Sequence, residues 1–182
     1  RFPDWGYYEH PPLATMLIRI GYALLANELG VRILFVLLST GTIALMYRLT
    51  GGKDPMLFFA MIFSSFYFHI IGAAAIPSAP VMFFSALFFL GVKEYLAAER
   101  NSVTALLAVT IPLMLYSKYQ GLLIVLFTVA ANPALLKRRS FWLIAGVSVA
   151  LLLPHFLWQA GHGFPSVRLH FVDRYRDPYT PM

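Results

Sequence analysis

The chain has 182 residues, 59% of them hydrophobic and only 12% charged, where a soluble domain carries about a quarter charged residues. A mean hydropathy of +0.71 implies more apolar surface than one small globular core can hide, so lipid is the solvent to expect. The net charge of +6 does not point to nucleic acid, because the basic residues stand mostly singly at the ends of apolar runs. With no cysteine, the chain has neither a disulfide framework nor a thiolate metal site.

The opening segment, Asp4-Trp5-Gly6-Tyr7-Tyr8-Glu9-His10-Pro11-Pro12, gathers two carboxylates, an imidazole and three aromatics. A carboxylate near low dielectric has its pKa raised and can act as a base, and Glu9 with His10 could bind a divalent cation. An aromatic belt with solvated charges reads equally from these residues. The chain starts on Arg1 with no signal-like segment before this motif, so an upstream segment is expected.

Leu13 to Asn27 is too polar to cross a membrane, with Arg19 in its middle. Leu13, Met16, Leu17, Ile20 and Leu24 make an apolar stripe, and Thr15, Arg19, Tyr22 and Ala26 a weaker polar one. The pattern suits a helix lying in the membrane interface, or an ordinary packed helix. Glu28 and Arg32 are spaced to pair on one helical face.

Crossing the hydrocarbon takes about 20 mainly apolar residues. The runs Arg32–Tyr47 (extended by Arg48 and Leu49), Pro55–Ala74, Pro80–Ala97 and Phe141–Trp158 meet this. Between the last two, 102–136 is too long for one span. Tyr116-Ser117-Lys118-Tyr119-Gln120-Gly121 interrupts it, predicting two short helices that meet at a turn. Ser78, between Pro77 and Ala79, reads as a helix N-cap. The fold expected is an all-α polytopic bundle of about six spans in one domain, 1–182, with 1–32 forming an outer loop and interfacial helix.

Lys137-Arg138-Arg139 is the densest basic cluster and favours the cytoplasm. Counting spans from it puts Arg48, Lys53, Lys93 and Arg100 on the same side. Lysines and arginines divide seven and seven, but the inner ones sit in much shorter loops. All five histidines (His10, His69, His155, His162, His170) then fall on or near the outer face, where any chemistry is expected. A lysine near membrane depth, as Lys118 is, pairs with something, lines a pathway or snorkels to the interface; a phosphate is a natural partner. Arg168, His170, Arg174 and Arg176 could hold an anion, or belong to a solvated loop.

Gly6-Tyr7-Tyr8-Glu9-His10-Pro11-Pro12-Leu13 resembles the first outer loop of bacterial C-type (GT-C) glycosyltransferases related to protein O-mannosyltransferases, a group that includes the lipid A aminoarabinose transferase. Glu28-Leu29-Gly30-Val31-Arg32, Leu115-Tyr116-Ser117-Lys118-Tyr119 and Pro154 to Gly163 are similar in order and spacing. The resemblance implies an inner-membrane enzyme that takes a sugar from polyprenyl phosphate at the periplasmic face. It implies Asp4 and Glu9 as catalytic carboxylates. It further implies His10, Lys118, Arg174, Tyr7 and Tyr8 around the lipid phosphate and donor, and a divalent metal ion on Glu9 and His170. An Asp-Glu pair is expected upstream, and Ser78 stands where the family often has Asp. A transporter or flippase, or a non-catalytic scaffold subunit, are the other classes this composition allows.

Overall fold

A computed structural model describes residues 10–66 and 74–171, the last two by backbone alone. The described residues are all-α, as expected. The helices are α1 (Leu13–Leu24), α2 (Glu28–Leu49), α3 (Pro55–Ser64), α4 (Ser78–Ala97), α5 (Asn101–Ser117), α6 (Gly121–Ala131), α7 (Arg139–Gly161) and α8 (Pro165–Phe171), with a 3-10 turn at Pro133–Lys137 before α7.

Of the six crossings expected, three have helices long and apolar enough to span by length and composition: α2, α4 and α7. Their 22, 20 and 23 residues rise about 30–35 Å at 1.5 Å per residue. The segment expected to hold two short helices does hold two, α5 and α6. The expected span from Pro55 is helical to Ser64, and residues 67–73 lie outside the description.

The helices pack in a chain of neighbours: α1 on α2, α2 on α4, α4 on α5 and α5 on α7. Side-chain register gives their directions. Phe35 clusters with Ala79, Gly41 meets Phe83, and Met46 and Leu49 share a cavity wall with Ala86 and Phe89, so α2 and α4 run parallel. Gly91 meets Leu107, Ser85 meets Met114 and Ser78 meets Lys118, so α5 runs antiparallel to α4. Ser148 donates to the Ala108 carbonyl at 3.2 Å and Tyr116 to the Leu151 carbonyl at 2.8 Å, so α7 runs parallel to α5. Phe88, Tyr95, Leu107, Met114 and Ile144 form the main core between α4, α5 and α7.

The basic end closes with a polar clasp. Arg138 lies over the Tyr95 ring, 4.8 Å from its centroid, and donates to the Tyr95 carbonyl. The Tyr95 hydroxyl pairs with Ser140, which donates to Glu99. Lys93, Arg100 and Lys137-Arg138-Arg139 thus sit at one end of the bundle, as the charge pattern suggested, and Lys118 at the other.

The outer surface is apolar to a degree water would not tolerate. Met56, Phe63, Phe127, Trp142 and Leu157 are all exposed, far beyond the patches of a soluble monomer. Where lipid is the solvent, burying apolar side chains gains little, and helices associate by close packing of small residues. Helix α1 packs in this way. Its buried edge is Ala14 and Gly21, flanked by half-buried Leu17 and Ile18. Ile20 and Leu24, from the expected apolar stripe, remain exposed. Gly21 fits there because α1 lies almost on the backbone of α2: a Cβ at Gly21 would stand 2.0 Å from the Gly30 carbonyl oxygen. Asn27 caps α2, its side chain accepting from the Gly30 N–H at 3.0 Å, and Glu28 in the first turn complements the helix dipole.

Gly21→Ala should therefore push α1 off α2 and cost about 1–3 kcal/mol, the range for overpacking. Gly146→Ala, where nothing lies within 4 Å, should change stability by no more than about 0.5 kcal/mol. Thermal unfolding of the two variants in lipid nanodiscs checks this; equal midpoints would contradict the close α1–α2 crossing.

Candidate functional site

The α5–α6 turn occupies the end of the bundle opposite the clasp. Helix α5 stops because Lys118 is extended (φ −158°, ψ 137°), its N–H still bonding back to the Met114 carbonyl at 3.1 Å. The chain re-enters a helix at Gly121, whose N–H reaches the Lys118 carbonyl at 3.0 Å. A Cβ at Gly121 would come within 2.8 Å of the Met114 side chain and 3.3 Å of its carbonyl oxygen. Glycine lets α6 begin this close to the last turns of α5.

Lys118 stands at the junction of two cavities. One, of about 540 Å³, opens among His10, Pro11, Leu115, Tyr119, Phe156 and Phe164. The other, of about 520 Å³, follows α4 from Ser78 to Phe89 between α2 and α6. Both are lined mainly by apolar side chains, and Lys118 and Gln120 belong to both. The Lys118 ammonium donates to Ser78 Oγ at 3.4 Å, a long bond and the lysine's polar contact among the described residues.

Tyr119 leads away from Lys118 into a buried polar cluster. Gln159 Nε2 donates to the Tyr119 hydroxyl at 2.9 Å and to Ser166 Oγ at 2.7 Å. Tyr119 donates to Ser166 Oγ at 3.0 Å and lies 3.0 Å from His155 Nε2. His155, Gln159 and Ser166 are 4%, 4% and 3% exposed, so the cluster is nearly dry and its bonds are costly to break. Burial pushes the Tyr119 phenol above its ordinary value, against the opposing bonds to Ser166 and Gln159, so it remains a protonated donor at neutral pH. Phe164 lines the first cavity and is held in the left-handed region at φ 54°. Such backbone strain persists where surroundings over-determine it, often beside a site.

Of the residues expected to carry the chemistry, the fold brings His10 and Lys118 to one cavity. Asp4, Tyr7, Tyr8, Glu9 and Arg174 lie outside the described residues, as does the His170 side chain. No three His, Asp or Glu side chains converge among the described residues, and the expected metal ligands Glu9 and His170 fall outside that search. One reading changes. Ser78 caps nothing: Pro77 holds the cap position without a side-chain bond, and the Ser78 hydroxyl faces Lys118 instead. His155 belongs to the buried cluster. Tyr119, Gln159 and Ser166 were not anticipated, although a glutamine on the apolar helix α7 is a signal that polar partners wait inside the membrane.

The model of a family described as dolichyl-phosphate-mannose-protein mannosyltransferase matches residues 9–158. The match begins at Glu9, takes in His10, Lys118 and His155, and leaves Asp4, Tyr7, Tyr8, Ser166, His170 and Arg174 outside. No curated protein and no solved structure matches the chain. Since the match covers most of the chain and the helices are of spanning length, the chain belongs to the dolichyl-phosphate-mannose-protein mannosyltransferase family and is an integral-membrane glycosyltransferase with a polyprenyl-phosphate-linked sugar donor.

Proposed function

We propose that the Lys118 end of the bundle is the donor site and faces the outside of a bacterial inner membrane, and that Lys118 holds the phosphate of the carrier lipid. The observation that carries this reading is the lysine's position, a cation between two largely apolar cavities with a hydroxyl as its described polar contact. A phosphate dianion or diester would replace that long neutral bond with a charge-assisted one. The groove from Ser78 to Phe89, about 16 Å of helix, takes the first isoprene units. The sugar and acceptor occupy the cavity beside His10.

The reaction is a displacement at the anomeric carbon. An acceptor oxygen or nitrogen forms the new bond as the bond from that carbon to the phosphate oxygen breaks, and polyprenyl phosphate leaves with the electron pair. The acceptor proton passes to a carboxylate, Asp4 or Glu9, acting as base. Lys118, with His10 and Arg174, stabilises charge gathering on the phosphate, while Tyr7 and Tyr8 border the donor. Glu9 and His170 are the residues that would hold a divalent cation; no step above passes through one.

The packing directions support six crossings. Parallel α2 and α4 fit a chain that returns between Leu49 and Ser78, and parallel α5 and α7 one that returns through α6 and the 3-10 turn. Six passages leave Arg48, Lys53, Lys93, Arg100 and Lys137-Arg138-Arg139 on one side, which the positive-inside bias makes cytoplasmic. Helix α1, with Thr15, Arg19 and Tyr22 on one flank of its packed edge and Leu13, Ile20 and Leu24 on the other, lies in the outer interface.

Two measurements on the full-length protein test the reading. Lys118→Ala should lower sugar transfer from a polyprenyl-phosphate donor by about 10²–10³-fold, as loss of a preorganised charge-stabilising group does, and Lys118→Arg should restore part of it. Transfer at the wild-type rate in Lys118→Ala would sink the assignment. In a background free of other cysteines, His162→Cys and Lys137→Cys give a clean topology test. A membrane-impermeant maleimide added outside intact cells should label the first and spare the second; the reverse would turn the site to the cytoplasm.

A further inference from the structure

We infer that Tyr119 is a positioning residue, which through Gln159 and Ser166 fixes the turn so that Lys118 points into the donor site. The inference rests on the reading of Lys118 as the phosphate-holding residue and adds what holds that lysine in place. Lys118 and Tyr119 are adjacent in the turn and border the same cavity, so the backbone that carries one side chain carries the other. Whatever grips Tyr119 therefore aims Lys118. Tyr119 is gripped from two elements: Gln159 and His155 on α7, and Ser166 on α8. Among the described residues Lys118 itself has a 3.4 Å bond to Ser78, too weak to orient a four-carbon side chain.

Two further features make the grip specific. Gln159 also donates to Ser166, so Tyr119, Gln159 and Ser166 close a triangle that no single rotamer change can leave without stranding a buried polar group. The short helix α8 has a share in it, so the segment after α7 is tied to the donor turn. A turn without this anchor would keep Lys118 but spread it over several directions, and ordering it on binding would cost affinity.

The test uses the full-length protein in nanodiscs and a fluorescent polyprenyl phosphate, whose Kd can be measured in inactive variants too. Tyr119→Phe, which keeps the ring and removes the hub oxygen, should raise Kd about fivefold to twentyfold, the scale of one or two buried hydrogen bonds. In a Lys118→Ala background the same change should alter Kd by less than about twofold, since the residue to be aimed is gone. Ser166→Ala, which disturbs the triangle from α8 and leaves Tyr119 whole, should follow the same pattern more weakly and serves if Tyr119→Phe does not fold. A role in general stability would instead lower the thermal midpoint and the bound fraction equally in both backgrounds. No effect of either variant, or equal effects with and without Lys118, would overturn the inference while leaving the role of Lys118 intact. An unchanged Kd in Lys118→Ala alone would overturn that role, and this inference with it.

Discussion

The break between Ser117 and Gly121 is the constraint on which the rest depends. In hydrocarbon a backbone cannot leave a helix unless its polar groups are satisfied. At Lys118 they are: its N–H and carbonyl bond to Met114 and Gly121, and the missing side chain at Gly121 lets α6 begin against Met114. The break delivers a lysine to the junction of two cavities and a tyrosine to a dry polar cluster in adjacent positions. One residue is thereby presented to a ligand while its neighbour is bound to the scaffold.

The bundle around that break is arranged end to end. Tyr95, Arg138, Ser140 and Glu99 close one end with protein–protein contacts, and basic side chains crowd there. The other end carries the apolar cavities, the turn and the α7–α8 junction. Closing one end and opening the other gives a membrane enzyme a rigid base and an accessible site. Small-residue contacts such as Gly21 against Gly30 provide the rigidity that hydrophobic burial cannot supply where lipid is as apolar as the core.

Much of this was legible from the residues because span length and charge placement are local signals. The interruption at Tyr116–Gly121, the clustering of basic ends and the assignment of His10 and Lys118 to one face needed no tertiary knowledge. The cluster at Tyr119 was not legible, because its partners lie 36, 40 and 47 residues away and meet only through the register of α5 against α7. Ser78 was misread for the same reason: beside a proline it resembles a cap, while its contact is 40 residues distant. The packed edge of α1 was not legible because, in lipid, hydrophobicity does not separate the edge that packs from the edge that faces the solvent; side-chain size does.

The central claim is that the carrier phosphate docks at Lys118, at the end opposite the basic clasp. It is tested most directly by irradiating the full-length protein with a polyprenyl phosphate bearing a photoreactive group beside the phosphate, and mapping the labelled peptide. The account predicts label within residues 115–122, lost in Lys118→Ala. Label on the Lys93–Arg100 or Lys137–Arg139 segments, or label on 115–122 that persists without the lysine, would contradict it.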